Sequence, residues 1–176
     1  MLMDFNLEHA IAVLSQTPRT LRSMLENLPR QWIEKKEGPE TWSPYDIVGH
    51  LIHGEKTDWI PRLEIILSDD SNKKFEPFDR FAQFKDSQGK TLRQLLDEFE
   101  SLRKENIAKL RAKNLKAVDF SKTGIHPAFG EVSLAQLLAT WVAHDLNHIA
   151  QIARVMAKQY KSEVGPWVEY LRILQS

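Results

Sequence analysis

The segment from Leu134 to Met156 does more than any other to limit the fold. Apolar side chains cover nearly every face of it at helical spacing, yet His144, Asp145, Asn147, His148, Gln151 and Arg154 interrupt them. A membrane span does not carry so many polar groups, so the segment reads as the most buried helix of a domain in water. A helix buried all round must be enclosed by other elements. The 176 residues suffice for one core, and 42% hydrophobic residues suffice to fill it. Residues 1–176 are therefore expected to form a single domain.

The remaining pattern is helical too. Leu7, Ala10, Ile11, Leu14, Leu21 and Leu25 predict a first helix ending near Leu28-Pro29, since proline disfavours helix in the residue before it. A second helix starts at Ser43-Pro44-Tyr45-Asp46. There the serine can cap, the proline fits the first helical position and the acid favours the positive end of the dipole. It runs to about Leu67, with a kink at Pro61. Residues 71–90 carry Phe75, Phe78, Phe81 and Phe84 without a clean period and read as a lid over a site or a packing flap, the flap being preferred. Thr91 and Gln94 form a capping box that opens a third helix, which fades near Asn114. A glycine- and proline-bearing loop, 119–130, follows, and Ser133 with Gln136 then opens a fourth helix reaching about Tyr160. Beyond Gly165-Pro166 a short C-terminal helix carries Trp167, Leu171 and Leu174. No alternating strand pattern stands out. The predicted class is all-α, a four-helix bundle with long crossover loops, at least one of which joins parallel helices.

Composition removes several functions. Lys plus Arg and Asp plus Glu number 24 each, so no global field draws the protein to phosphate backbones or anionic membranes. Neither nucleic acid nor membrane is an expected partner. Without cysteine there is no disulfide, thiol nucleophile or thiolate metal site, so any metal must be held by His, Asp or Glu. The first residues, MLMDFNLEHAIAVL, lack a basic leader and cleavage site and are expected to be retained, which suits a cytoplasmic protein.

On the fourth helix His144 and His148 are four residues apart, which turns them only about 40° from each other and stacks them one turn apart. Two imidazoles on a buried stripe need partners, and a divalent ion supplies both at once. The bland reading gives each ring a hydrogen bond in the core. A third ligand is available on the second helix from His50 or His53; both are displaced from the apolar face of Val48, Leu51, Ile52, Trp59 and Leu63, and periodicity does not choose between them. His9 and His126 read as surface or loop residues, with His126 able to approach a site if its loop is ordered.

Three segments together resemble the DinB/YfiT-like superfamily: Trp42 to His50, His126 to Ser133, and Trp141 to Gln151 with its His-x-x-x-His. The resemblance spans most of the chain. It implies a four-helix bundle in which three histidines bind one divalent metal, and it selects His50 over His53 to join His144 and His148. It also implies a reaction in which a low-molecular-weight thiol or a water is activated for attack on a small electrophilic substrate; the expected ion is zinc, nickel or a similar divalent metal, since three imidazoles also accept copper or iron. The superfamily includes thiol transferases, a mycothiol-dependent isomerase and metal-dependent hydrolases.

Three neutral imidazoles leave the ion its full charge and at least one open position, the geometry of a catalytic rather than a closed structural site. Asp145 and Gln151 are candidate catalytic residues acting beside the ligands. Asp145 after His144 gives a zincin-like pattern, but a metalloprotease needs a strand edge for its substrate and a further ligand downstream, and neither is evident. The alternative class is a non-catalytic stress-response or binding module with a structural or vestigial metal site. Five tryptophans exceed what one small core holds easily and suggest a homodimer.

Overall fold

Each long helix begins where the sequence supplies a cap. The structure, a computed structural model, describes residues 3–175, so the part of the N-terminal reading that rests on Met1 and Leu2 lies outside the described residues. Helix α1 (Leu7–Leu25) starts at Asn6, whose side-chain oxygen accepts from the His9 amide at 3.0 Å. Helices α3 (Pro44–Thr57), α6 (Leu92–Ala112) and α7 (Leu134–Lys158) open on reciprocal capping boxes at Ser43/Asp46, Thr91/Gln94 and Ser133/Gln136. Two one-turn helices, α2 (Arg30–Glu34) and α5 (Ala82–Asp86), sit in the connections. Among the described residues no helix is long and apolar enough to cross a membrane.

The bend expected at Pro61 falls earlier. Helix α3 stops at Thr57 and α4 (Trp59–Leu67) restarts after Asp58, whose φ of −108° and ψ of −67° mark the break. Pro61 has no N–H for the Thr57 carbonyl and its ring crowds that turn, so the helix yields four residues upstream while Pro61 sits harmlessly in the first turn of α4.

Helices α1, α6, α3/α4 and α7 form the bundle, with α6 and α7 each packed against both α1 and the α3/α4 pair. Side-chain contacts fix the directions. Arg22 bonds Asp97 and Glu100, while Arg103 lower on α6 meets Leu14, so α1 and α6 are antiparallel. Tyr45 bonds the carbonyls of Ser87 and Lys90, Glu55 pairs with Arg103 and Glu64 with Lys113, so α3/α4 and α6 are parallel. The long connection after α4 is thus the crossover that the loop lengths predict.

That connection is held at both ends. Phe75 is buried in the core; its N–H donates to the Ile125 carbonyl at 2.9 Å, and the Ile125 N–H donates to the Lys73 carbonyl at 2.8 Å. Ile125 belongs to a small hairpin, β1 (Thr123–His126) and β2 (Gly130–Ser133), paired antiparallel with His126 opposite Gly130. The hairpin departs from the all-helical expectation because four-residue strands carry too little alternation to show in the sequence; its one local signal is a three-residue loop closed by Gly130 at φ 72°. The tail also differs from the expected helix. It forms two 3₁₀ turns, Gly165–Tyr170 and Arg172–Leu174, which leave Trp167 exposed and bury Leu174.

A layer of buried charge divides the core into two apolar clusters, one around Trp59, Leu63, Leu134 and Trp141 and one around Ile47, Leu51, Phe99 and Ile152. At its centre Arg103 donates to Glu55 Oε1 from Nε and Nη2 (3.1 and 2.7 Å) and to Asp145 from Nη1 and Nη2 (2.6 and 3.1 Å). Its Nη1 also donates to the Leu14 carbonyl at 2.8 Å. That carbonyl is available because Pro18, four residues on, has no N–H to give it. Trp141 Nε1 and Asn106 Nδ2 complete the donors to the Glu55 carboxylate at 3.1 and 3.0 Å. All four bundle helices therefore meet at one guanidinium.

Candidate metal centre

One turn from this layer, on the seam between α3 and α7, three imidazoles converge. His50 comes from α3 and His144 and His148 from α7, and one ring nitrogen of each lies within 4.8 Å of the other two. His144 Nε2 is 3.2 Å from His50 Nε2 and 3.1 Å from His148 Nε2. The outer nitrogens are held from behind: His50 Nδ1 meets Gln83 Oε1 at 3.0 Å and His148 Nδ1 meets Gln151 Oε1 at 2.7 Å. An amide oxygen only accepts, so each Nδ1 carries the proton and each Nε2 turns a lone pair inward.

The rings are neutral. Burial above all drives the His50 pKa from 6.5 down to about 3, aided by the neighbouring charges of His148, His53 and Arg80 and opposed by the Gln83 bond. Burial, then His148, His50 and Arg103, takes His144 to about 3 as well. His148 is also lowered, burial outweighing the Gln151 bond and the Asp145 charge. Neutral rings leave the cluster short of protons. His144 can turn at most one N–H toward two lone pairs, and its Nδ1 is buried without a hydrogen-bond partner.

This donor set fits a divalent cation. Two nitrogens bound tetrahedrally at about 2.0–2.1 Å stand about 3.3 Å apart, close to the 3.1 and 3.2 Å separations of the Nε2 atoms. A cation would satisfy all three inward lone pairs together, which protonation of rings with such low pKa values does not do.

The cluster forms the floor of a cavity of about 570 Å³. Trp42, from the connection ahead of α3, stands over His50 with ring centroids 4.8 Å apart and stacks toward His148 at 6.4 Å. Trp59 meets the His144 edge at 5.1 Å, and Phe78 from the crossover meets His50 at 5.3 Å. Arg80, Arg154, Glu37, Glu40 and Asp58 add charge to the walls. The crossover thus acts both as a packing flap, through Phe75, and as a cover over the site, through Phe78 and Gln83.

Of the other sequence candidates, only Gln151 reaches this cavity. Asp145, though next to His144, points 100° away around the helix into the bundle, where both oxygens are bound by Arg103. That makes it part of the helix-packing charge layer and not a group facing the cavity. Gln151 does line the cavity and orients His148. His53 stays out of the cluster, beneath Phe78 at 4.9 Å with Nδ1 3.7 Å from Asp86. His126 serves its own turn, its Nδ1 accepting from the amides of Ala128 and Phe129 at 3.1 and 3.3 Å. His9 lies exposed on α1. Gln83 and Arg80 carry no signal in the sequence, because they come from a connection with no periodicity to place them; Trp42 stands in a segment that carries the family resemblance and Phe78 in the segment read as lid or flap, but nothing local assigns either to the site.

Comparison with known proteins agrees with the fold. The family model described as the DinB superfamily matches residues 14–152. Among solved structures, YfiT from Bacillus subtilis, described as "a probable metal-dependent hydrolase with an unusual four-helix bundle topology", is similar at a TM-score of 0.75 and 21% identity over 90% of each chain. No curated protein matches the chain.

Proposed function

The chain belongs to the DinB superfamily, and from that premise we propose that it is a metal-dependent enzyme acting on a small electrophilic molecule. His50, His144 and His148 hold one divalent ion, zinc or nickel. The observation that carries this reading is the convergence of three buried ring nitrogens from two helices, with two of the rings held by glutamine oxygens so that their lone pairs face one point. YfiT, described as a probable metal-dependent hydrolase, supports the same class.

Bound there, the cation supplies Lewis acidity that makes a water or a low-molecular-weight thiol a nucleophile near neutral pH. The protein's own groups do the rest. Gln83 and Gln151 fix ring orientation and tautomer. Trp42, Trp59 and Phe78 bind the apolar part of the substrate and exclude water from the floor. Asp58 lines the same cavity, and its pKa is raised chiefly by burial despite its 2.6 Å pair with Arg62.

Chelation tests the proposal. The stripped protein should still unfold cooperatively, because its core is complete without an ion. It should lose hydrolysis of p-nitrophenyl acetate or cysteine transfer to 1-chloro-2,4-dinitrobenzene, and regain it with zinc or nickel. Activity indifferent to chelation contradicts the proposal. So does loss of the fold, which would make the ion structural.

A further inference from the structure

The charges on the cavity wall are unequally matched. Arg154 is held by Glu37 at 3.0 and 2.6 Å, and Asp58 by Arg62 at 2.6 Å. Arg80 lines the same cavity and, among the described residues, has no hydrogen bond, ion pair or ring contact with any side chain or backbone group. Its backbone is nevertheless placed. Five residues before it Phe75 is buried and bridged to β1, and three residues after it Gln83 is buried against His50. Between those anchors Phe78 stands edge-on to both His50 and His53. A permanently charged fork of five N–H donors therefore lines a cavity floored by three imidazoles, with no ion-pair partner among the described residues.

We propose that Arg80 binds a carboxylate of the molecule that occupies this cavity, and that the substrate or thiol cosubstrate is an anionic small molecule with its reactive end at the histidines. The assignment rests on the metal-dependent reading above and names the substrate class for it. Planar, two-point recognition is what guanidinium offers a carboxylate. A phosphate dianion suits the walls less well, because Glu40 lines the same cavity without a partner among the described residues and Arg80 is the one unpaired cation against it.

The test uses zinc-loaded protein and calorimetric titration with ω-mercaptocarboxylates of two to five methylenes, each compared with the ω-mercaptoalcohol of the same length. At one length or more the acid should bind about tenfold tighter than the alcohol, as expected of a partly solvated charged hydrogen bond. Arg80→Gln should abolish that preference while leaving the affinity for the alcohol in place, and Arg80→Lys should restore part of it. Arg80 is exposed on the crossover, so neither substitution threatens the core. Equal binding of acid and alcohol at every length, or a preference that survives Arg80→Gln, overturns the assignment while leaving the metal reading standing. Failure of every thiol to bind the loaded protein overturns both.

Discussion

Replacing Arg103 by methionine tests the charge layer that sets α3 and α7 side by side. Arg103 is 2% exposed and makes five hydrogen bonds, two to Glu55, two to Asp145 and one to the Leu14 carbonyl. Methionine fills much of the volume but strands two carboxyls and one carbonyl. Removing one member of a buried pair costs about 3–5 kcal/mol. Protonation limits the cost, since at pH 7 neutralising a carboxyl of ordinary pKa near 4 takes about 4 kcal/mol. Glu55 keeps the Trp141 and Asn106 donors, so Asp145 bears the larger share. The expected loss is about 5 kcal/mol, a large part of the roughly 5–15 kcal/mol that holds a domain together. The sign with pH follows from the stranded groups. Burial already raises the Glu55 pKa, and removing the guanidinium that opposes this raises it further, so the penalty is full at neutral pH and shrinks as pH falls, by about 1.4 kcal/mol per unit over the range where Glu55 is protonated in the folded variant alone. Urea unfolding of both proteins at pH 7 and pH 5.5 measures this. A loss under about 1.5 kcal/mol, or a gap that does not narrow at pH 5.5, would refute the assignment of the layer.

Three further outcomes are expected. Metal-free protein should lose stability as pH falls below 6.5, because the unfolded histidines take up protons that His50 and His144, with pKa values of about 3, refuse. At pH 5 the loss is about 2 kcal/mol for each of these rings, and thermal melts that are flat between pH 7 and 5 would contradict it. Gln151→Leu removes the 2.7 Å brace of His148 and should weaken zinc binding by about 10–100-fold in competition with a chelating dye; unchanged affinity would show that the brace is idle. Gly124→Ala places a Cβ 2.5 Å from Phe75 Cε1 and 3.0 Å from Ile66 Cγ1, so it should cost about 1–3 kcal/mol in denaturant unfolding. A neutral result would show that the Phe75 anchor yields freely.

How far the sequence could be read depended on whether a signal was local. Capping boxes at Thr91 and Ser133 and the cap at Ser43 sit where the helices begin, because a cap answers to the first turn alone. Pro61 announced a break, but its effect lies at the carbonyl four residues earlier, at Thr57. The pair His144 and His148 follows from the helical repeat, whereas the placement of His50 and not His53 beside them depends on where α7 and the crossover lie. Periodicity holds no information about that, and family resemblance supplied it. Asp145 shows the opposite error: adjacency in sequence suggested a partner for the histidines, yet one step along a helix turns a side chain through 100° and delivers it to Arg103. Gln83 and Arg80 sit on a connection whose path is set by Phe75 and the hairpin, contacts that join residues about 50 positions apart.

X-ray absorption at the zinc edge of stoichiometrically loaded protein tests the central claim most directly. One ion per chain should show imidazole scattering from three nitrogens at about 2.0–2.1 Å with one further ligand from solvent, and His50→Ala or His144→Ala should abolish stoichiometric binding. A carboxylate-dominated shell, or a spectrum unchanged by either substitution, would contradict it.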